Sequence, residues 1–105
     1  MLNMNRGKAA KLVNHVLAAA PTNGFYGDQY WMGVKQVWRA LDEAGIPYQL
    51  TDSRYENDGQ PMPVRKVWTF EVLCDNGTVY GRVIAAGAGP VSDPLERYDV
   101  TAYAS

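Results

Sequence analysis

The chain has 105 residues, about the length of one domain, and its ten Lys and Arg residues nearly balance eleven Asp and Glu residues. The single histidine and single cysteine exclude a site with two imidazoles, an internal disulfide and every multi-cysteine zinc or iron–sulfur centre. Apolar residues make up 47% and charged residues 20%, which is typical of a folded domain. We therefore expect one domain over residues 1–105, with no cofactor, no metal site and no catalytic residue marked by a motif.

The charge is unevenly distributed along the chain. Residues 41–105 carry ten acids and five bases, whereas residues 1–40 carry one acid and the five bases Arg6, Lys8, Lys11, Lys35 and Arg39. The net charge of -1 creates no overall field that would attract nucleic acid or an anionic membrane. No apolar run reaches the roughly 18–20 residues that cross a bilayer, so we expect no membrane partner.

A helical pattern begins at Asn5 and ends at Pro21. Its apolar stripe consists of Ala9, Leu12, Val13, Val16, Leu17 and Ala20. The opposite side is predicted to face water and carries Lys8, Lys11, Asn14 and His15. Because Asn14 and His15 interrupt the apolar run, the segment is more typical of a cytoplasmic amphipathic helix than of a secretory signal.

A second helix is predicted after a loop, with Asp28 as its N-cap. Its apolar stripe consists of Tyr30, Trp31, Val34, Val37, Trp38, Leu41 and Ala44. The helix is predicted to end at Gly45, which can adopt the left-handed conformation, while Ile46 offers a hydrophobic contact and Pro47 prevents continuation.

The remaining sequence predicts strands. Tyr48–Thr51 is predicted to be a short edge strand, and Asp52–Pro63 an exposed loop. Alternating apolar and polar residues predict a longer strand over Arg65–Cys74 and a last strand over Arg97–Tyr103.

A hairpin turn is predicted at Asn76-Gly77, because both central positions of such a turn need positive φ. Counting outward from it gives the cross-strand pairs Asp75–Thr78, Leu73–Tyr80, Glu71–Arg82 and Phe70–Val83. This register collects one apolar face made of Trp68, Phe70, Val72, Cys74, Val79, Val83 and Ala85.

Clustered helices followed by clustered strands predict an α+β fold. We expect two N-terminal helices packed on one face of a three- to four-stranded antiparallel sheet, in two layers. The three tryptophans, Trp31, Trp38 and Trp68, are expected to meet between the helices and the sheet.

The two scarce reactive side chains are predicted to lie apart. His15 is expected on the solvated side of the first helix, and it is the only side chain with an unperturbed pKa near neutrality. Cys74 is expected as a small core residue, since the neighbouring carboxylate of Asp75 disfavours a thiolate.

With no catalytic motif, binding is the favoured function. Exposed aromatic side chains are typical of protein interfaces, and the candidates here are Phe25, Tyr26, Tyr55, Tyr80 and Tyr103. We expect a small, non-enzymatic binding or regulatory protein whose partner is another protein or a second copy of itself. Accessory proteins of phages and other mobile elements are one such class, and the expected location is the cytoplasm.

Two alternatives remain open at this stage. One is nucleic-acid binding through the basic face of the first helix, for which the candidate residues are Arg6, Lys8, Lys11, Lys35 and Arg39. The other is a small enzyme that uses His15 as its general base.

Overall fold

The computed structural model describes residues 1–22, 30–56, 65–87 and 98–105. Its elements in chain order are α1 (Arg6–Ala19), α2 (Tyr30–Glu43), β1 (Gln49–Glu56), β2 (Arg65–Cys74), β3 (Gly77–Gly87) and β4 (Tyr98–Ala104). The strands form one antiparallel sheet in the order β1-β2-β3-β4. Both helices pack on β3 and β4 and on each other. The predicted two-layer α+β fold is therefore confirmed.

Helix α1 begins as predicted at Asn5, whose side chain accepts a hydrogen bond from the Lys8 backbone N–H at 2.9 Å. Its buried residues are Ala9, Val13 and Leu17. Asn14 does not face water as predicted, because its side chain bonds the backbone of Ala104 in both directions, at 2.7 and 2.9 Å. The boundary between the buried and solvated sides of α1 is thus set by β4.

Helix α2 ends in the predicted glycine cap. Gly45 has φ 71°, its N–H donates to Asp42 O at 3.1 Å, and the Ile46 N–H donates to Leu41 O at 3.0 Å. Ile46 is buried in the core. The predicted stripe of α2 is wrong at Trp31, which is half exposed beside Lys35. The predicted N-cap Asp28 lies outside the described residues.

Strand β1 is longer than predicted. The sequence predicts that a loop begins at Asp52, but β1 continues to Glu56 because its residues pair with β2 as far as Arg65. The pairing register shifts between Leu50 and Asp52, which indicates a β-bulge. Because β1 is mostly polar and exposed, it lacks the alternation of apolar and polar residues that predicts a strand. The rest of the predicted loop lies outside the described residues.

The predicted hairpin register is wrong by two residues. The structure pairs Cys74 with Gly77, Phe70 with Gly81, and leaves Asp75 and Asn76 as the turn. The N-terminal segment holds this turn, since Asp75 N–H donates to Met4 O at 3.1 Å and Arg6 N–H donates to Asn76 Oδ1 at 2.7 Å. A two-residue shift leaves every side chain on its predicted face.

An aromatic cluster replaces the expected meeting of three tryptophans. Trp38 stacks on Tyr48 with ring centroids 5.3 Å apart and meets Phe70 edge-on at 5.7 Å. Trp68 lies instead against the ammonium group of Lys66. Burial raises the pKa of the Tyr48 phenol above 10.0, and the negative charge of Asp42 adds to this effect. Helix α2 is thereby anchored to the sheet through Phe70.

Candidate protein-binding surface

The face of the sheet that turns away from the helices is called the outer face here. The helix-side face is defined by Phe70, Val72 and Cys74 of β2, which belong to the core. Alternation along the strands therefore assigns the other residues to the outer face. Its exposed or partly buried members include Glu56, Thr69, Glu71, Leu73, Tyr80, Arg82, Thr101 and Tyr103.

Three large side chains form a diagonal band on the outer face. Leu73, Tyr80 and Tyr103 are 52%, 56% and 45% exposed. Tyr80 pairs with Glu71 in β2, so Leu73 is its diagonal neighbour on that side. Tyr80 also exchanges two backbone hydrogen bonds with Ser105, so Tyr103 is its diagonal neighbour on the other side. Diagonal neighbours lie within reach of aromatic side chains. The band is therefore one continuous patch across three strands.

A charged network lies beside the band. Glu56 accepts hydrogen bonds from Arg65 at 3.1 Å and from Arg82 at 3.4 Å. Arg82 also donates to the hydroxyl oxygen of Tyr103 at 3.4 Å. The network holds the Tyr103 ring close to a guanidinium group that is itself partly exposed. Tyrosine and arginine together are typical of the energetically dominant residues of protein interfaces.

Sequence reasoning missed this network because Glu56 was assigned to a loop. The predicted register also placed Glu71 opposite Arg82, whereas Thr69 lies opposite Arg82 in the structure. The signal that was present is the alternation of charge in residues 52–56, which is compatible with one face of a strand.

The structure does not bring the five predicted aromatic residues together. Tyr80 and Tyr103 share the outer face, as their alternation predicted. Tyr55 lies in β1 opposite Lys66, on the helix-side face, and the Lys66 ammonium group lies 4.9 Å from its ring centroid. Phe25 and Tyr26 lie outside the described residues.

The five predicted basic residues are distributed over different surfaces. Lys8 and Lys11 are exposed on α1. Arg6 instead donates from Nε to Thr78 O at 2.9 Å, next to the hairpin turn. On α2, Lys35 lies over the Trp31 ring and Arg39 pairs with Glu43 at 3.0 Å. Only Lys8 and Lys11 of this set retain an outward position without a described partner.

His15 and Cys74 lie in different environments. His15 is exposed on α1, and Cys74 is buried with its thiol directed at Val72 O, 3.5 Å away. Within the described ranges, no three His, Cys, Asp or Glu residues are grouped so that they could hold a metal ion. A surface notch of about 190 Å³ lies between Met1 and Leu73. It is smaller than the roughly 300–1,000 Å³ typical of ligand pockets.

Comparisons with known proteins add no assignment to this geometry. No family model matches the chain, and neither a curated protein nor a solved structure gives a significant match. Neither described helix is both long and apolar enough to cross a membrane.

Proposed function

We propose that the protein is a small binding protein that recognises another protein through the outer face of its sheet. The observation that carries the proposal is the band of Leu73, Tyr80 and Tyr103, of which about half of each side chain remains accessible. No described element packs over this band. Burying such side chains against a partner releases water from apolar surface, which favours association.

The chemistry of the outer face supports a particular kind of partner. Leu73 and the tyrosine rings require an apolar surface, while the Tyr80 and Tyr103 hydroxyls and Arg82 require hydrogen-bond acceptors. Glu56 balances part of the arginine charge, so strong charge on the partner is not needed. We infer a folded partner that presents apolar side chains next to carbonyl or carboxylate oxygens.

The proposal includes a cytoplasmic location and a regulatory or accessory role, of the kind found in phages and other mobile elements. The chain has a single cysteine and so no internal disulfide, and its fold therefore does not depend on an oxidising compartment. The small size and the absence of a recognised catalytic motif support the role.

The test compares proteins captured from an extract of the cells that produce the chain. The wild type, a Tyr80→Ser/Tyr103→Ser variant and a Lys8→Glu/Lys11→Glu variant serve as baits, and captured proteins are quantified by mass spectrometry. Both variants change exposed positions, so their folds are checked by circular dichroism. We expect one set of proteins to be captured by the wild type and the lysine variant and lost from the tyrosine variant.

The affinity of the purified partner is then measured for each variant. Its dissociation constant should rise about tenfold or more for the tyrosine variant, because each lost aromatic anchor costs more than about 1 kcal/mol. Equal affinity of the tyrosine variant and the wild type would refute the proposal. Loss of capture by the lysine variant alone would instead identify α1 as the binding surface.

A further inference from the structure

Strand β1 forms one edge of the sheet and is exposed along nearly its whole length. Seven of its eight residues are exposed, and β2 is its only strand neighbour among the described residues. An edge strand presents unpaired backbone N–H and C=O groups that can pair with another strand. We call this side of β1 the open edge.

The hydrogen-bond pattern of the sheet shows which backbone groups of β1 point outward at the open edge. Tyr80 and Ser105 exchange both backbone hydrogen bonds, so even-numbered residues of β3 bond β4 and odd-numbered residues bond β2. The same alternation turns odd-numbered residues of β2 toward β1, in agreement with the bond from Leu2 N–H to Leu73 O. Arg54, opposite Val67, therefore bonds β2. Ser53 and Tyr55 consequently direct their N–H and C=O groups outward.

We propose that the open edge pairs with the same edge of a second copy of this chain, antiparallel and centred on Ser53. The two sheets then join into one sheet of eight strands. The two-fold axis is perpendicular to the sheet, so both outer faces lie on the same side. The dimer contact lies along β1, whereas the protein-binding proposal rests on Leu73, Tyr80 and Tyr103 of β2, β3 and β4, so neither proposal depends on the other.

Charge complementarity favours a second copy of this chain as the pairing strand and also favours one alignment of the two strands. With Ser53 opposite Ser53, Asp52 lies opposite Arg54 of the second copy, and the symmetry repeats this pair. All four side chains lie on the outer face, since Asp52 pairs with Thr69 and Arg54 with Val67. No described residue forms an ion pair with Asp52 or Arg54.

The neighbouring register is disfavoured by the same charges. Centring the pair on Arg54 places two arginines opposite each other, and Asp52 then faces Glu56 of the second copy. Like charges directly opposite each other on a sheet are destabilising. The order Asp52-Ser53-Arg54 is therefore self-complementary in the register centred on Ser53. A register centred on Tyr55 would pair Arg54 with Glu56 of the second copy, but Glu56 already accepts hydrogen bonds from Arg65 and Arg82.

Apolar surface on the helix-side face supports the same arrangement. Tyr55 and Leu50 are 57% and 51% exposed, and both lie on this face, opposite Lys66 and Phe70. The bulge between Leu50 and Asp52 takes up one residue, so Tyr55 comes beside Leu50 of the second copy. Aromatic–aliphatic pairs across strands stabilise sheets.

A charge swap tests the proposal with its own control. Sedimentation velocity is expected to show a concentration-dependent dimer for the wild type. Asp52→Arg and Arg54→Asp each place like charges opposite each other twice, so each should weaken the dimer about tenfold or more. The double variant restores two opposite-charge pairs and should dimerise like the wild type. A mixture of the two single variants should form a heterodimer.

A cysteine at the symmetry axis tests the register. Hydrogen-bonded pairs in antiparallel sheets have Cα atoms about 5.5 Å apart, within the roughly 4.4–6.8 Å that a disulfide spans. Ser53→Cys should therefore form a disulfide-linked dimer on mild oxidation, whereas Lys11→Cys, exposed on α1, should not. Cys74 is buried and provides a non-reactive background. A monomeric wild type at every concentration, or single charge variants that dimerise as the wild type does, overturns the proposal.

Discussion

The ring of Phe70 lies directly over the backbone of Gly81, its cross-strand partner in β3. A β-carbon at position 81 would lie 2.1 Å from Phe70 Cζ, much closer than atoms can approach. Both residues are buried, and the Phe70 ring also meets Trp38 and Tyr48 in edge-to-face contacts. The glycine therefore provides the space that allows the largest core side chain to lie flat between the sheet and α2.

Gly81→Ala should destabilise the protein by about 2–3 kcal/mol, because the added methyl group forces the Phe70 ring out of its position in a close-packed core. Denaturant unfolding monitored by tryptophan fluorescence measures the change. The matched control is Gly7→Ala in α1, where a β-carbon would meet only Asn5 Oδ1 at 3.5 Å. The control should stabilise slightly, by up to about 1 kcal/mol. Equal stability of Gly81→Ala and the wild type would contradict the packing described here.

Asn14→Ala should lower the free energy of unfolding by about 1–3 kcal/mol, because it removes two hydrogen bonds and leaves the backbone of Ala104 without its described partner. Hydrogen exchange gives a residue-specific measurement, in which the Ala104 amide should exchange faster. His15→Ala, one position away on the exposed side of α1, is the control and should change stability by less than about 0.5 kcal/mol. Unchanged protection of the Ala104 amide would show that Asn14 does not hold the edge of β4.

Gly45→Ala should destabilise by about 1 kcal/mol, because φ at this position is 71° and a β-carbon strains the left-handed conformation. Nothing lies within 4 Å of the added atom, so the cost comes from the backbone and not from packing. Asparagine tolerates the left-handed region better than alanine does, so Gly45→Asn should recover part of the lost stability. Thermal unfolding compares the three proteins, and identical melting of the alanine variant and the wild type would argue against this cap.

The raised pKa of Tyr48 predicts a loss of stability at alkaline pH. A phenol with a higher pKa in the folded than in the unfolded chain binds its proton more tightly when folded. Its contribution is complete below the unfolded value of 10.0 and is lost as the pH rises through the folded value. The free energy of unfolding, measured with denaturant between about pH 9 and about pH 11, should therefore fall more steeply for the wild type than for Tyr48→Phe.

Asp42→Asn provides the control for that titration, because the carboxylate adds to the upward shift of the Tyr48 pKa. The variant should show an intermediate dependence on pH. Parallel curves for the wild type and Tyr48→Phe would mean that the Tyr48 phenol titrates alike in the folded and unfolded chains.

Local chemistry made the helices and β2 predictable. The cap at Asn5 and the glycine stop at Gly45 each act within a few residues, and both are observed. The alternation of β2 is observed from Phe70 to Cys74, whereas Val67 is buried on the opposite face and Trp68 is only partly buried. Tyr80 and Tyr103 could be assigned to the outer face for the same reason, since alternation needs only the strand and not its partner. The positions of Tyr80 and Tyr103 in the candidate site were therefore predictable from the sequence pattern alone.

The rest of the candidate site depended on contacts between distant residues. Glu56 joins Arg65 and Arg82 only because β1 extends beside β2. The exposed β1 lacks an apolar alternation, and its alternation of charge over residues 52–56 also occurs in polar loops. Tyr55 was assigned to that loop and is found on the helix-side face for the same reason.

By itself, the sequence determined the two helices, the antiparallel hairpin and the face on which each hairpin side chain lies, because these depend on capping and periodicity within short segments. The tertiary structure decided the hairpin register, through the bond from Arg6 N–H to Asn76 and the space that Gly81 leaves for Phe70. It also decided which polar residues became strand β1. Such choices depend on residues that are far apart in the chain and come into contact only after it folds.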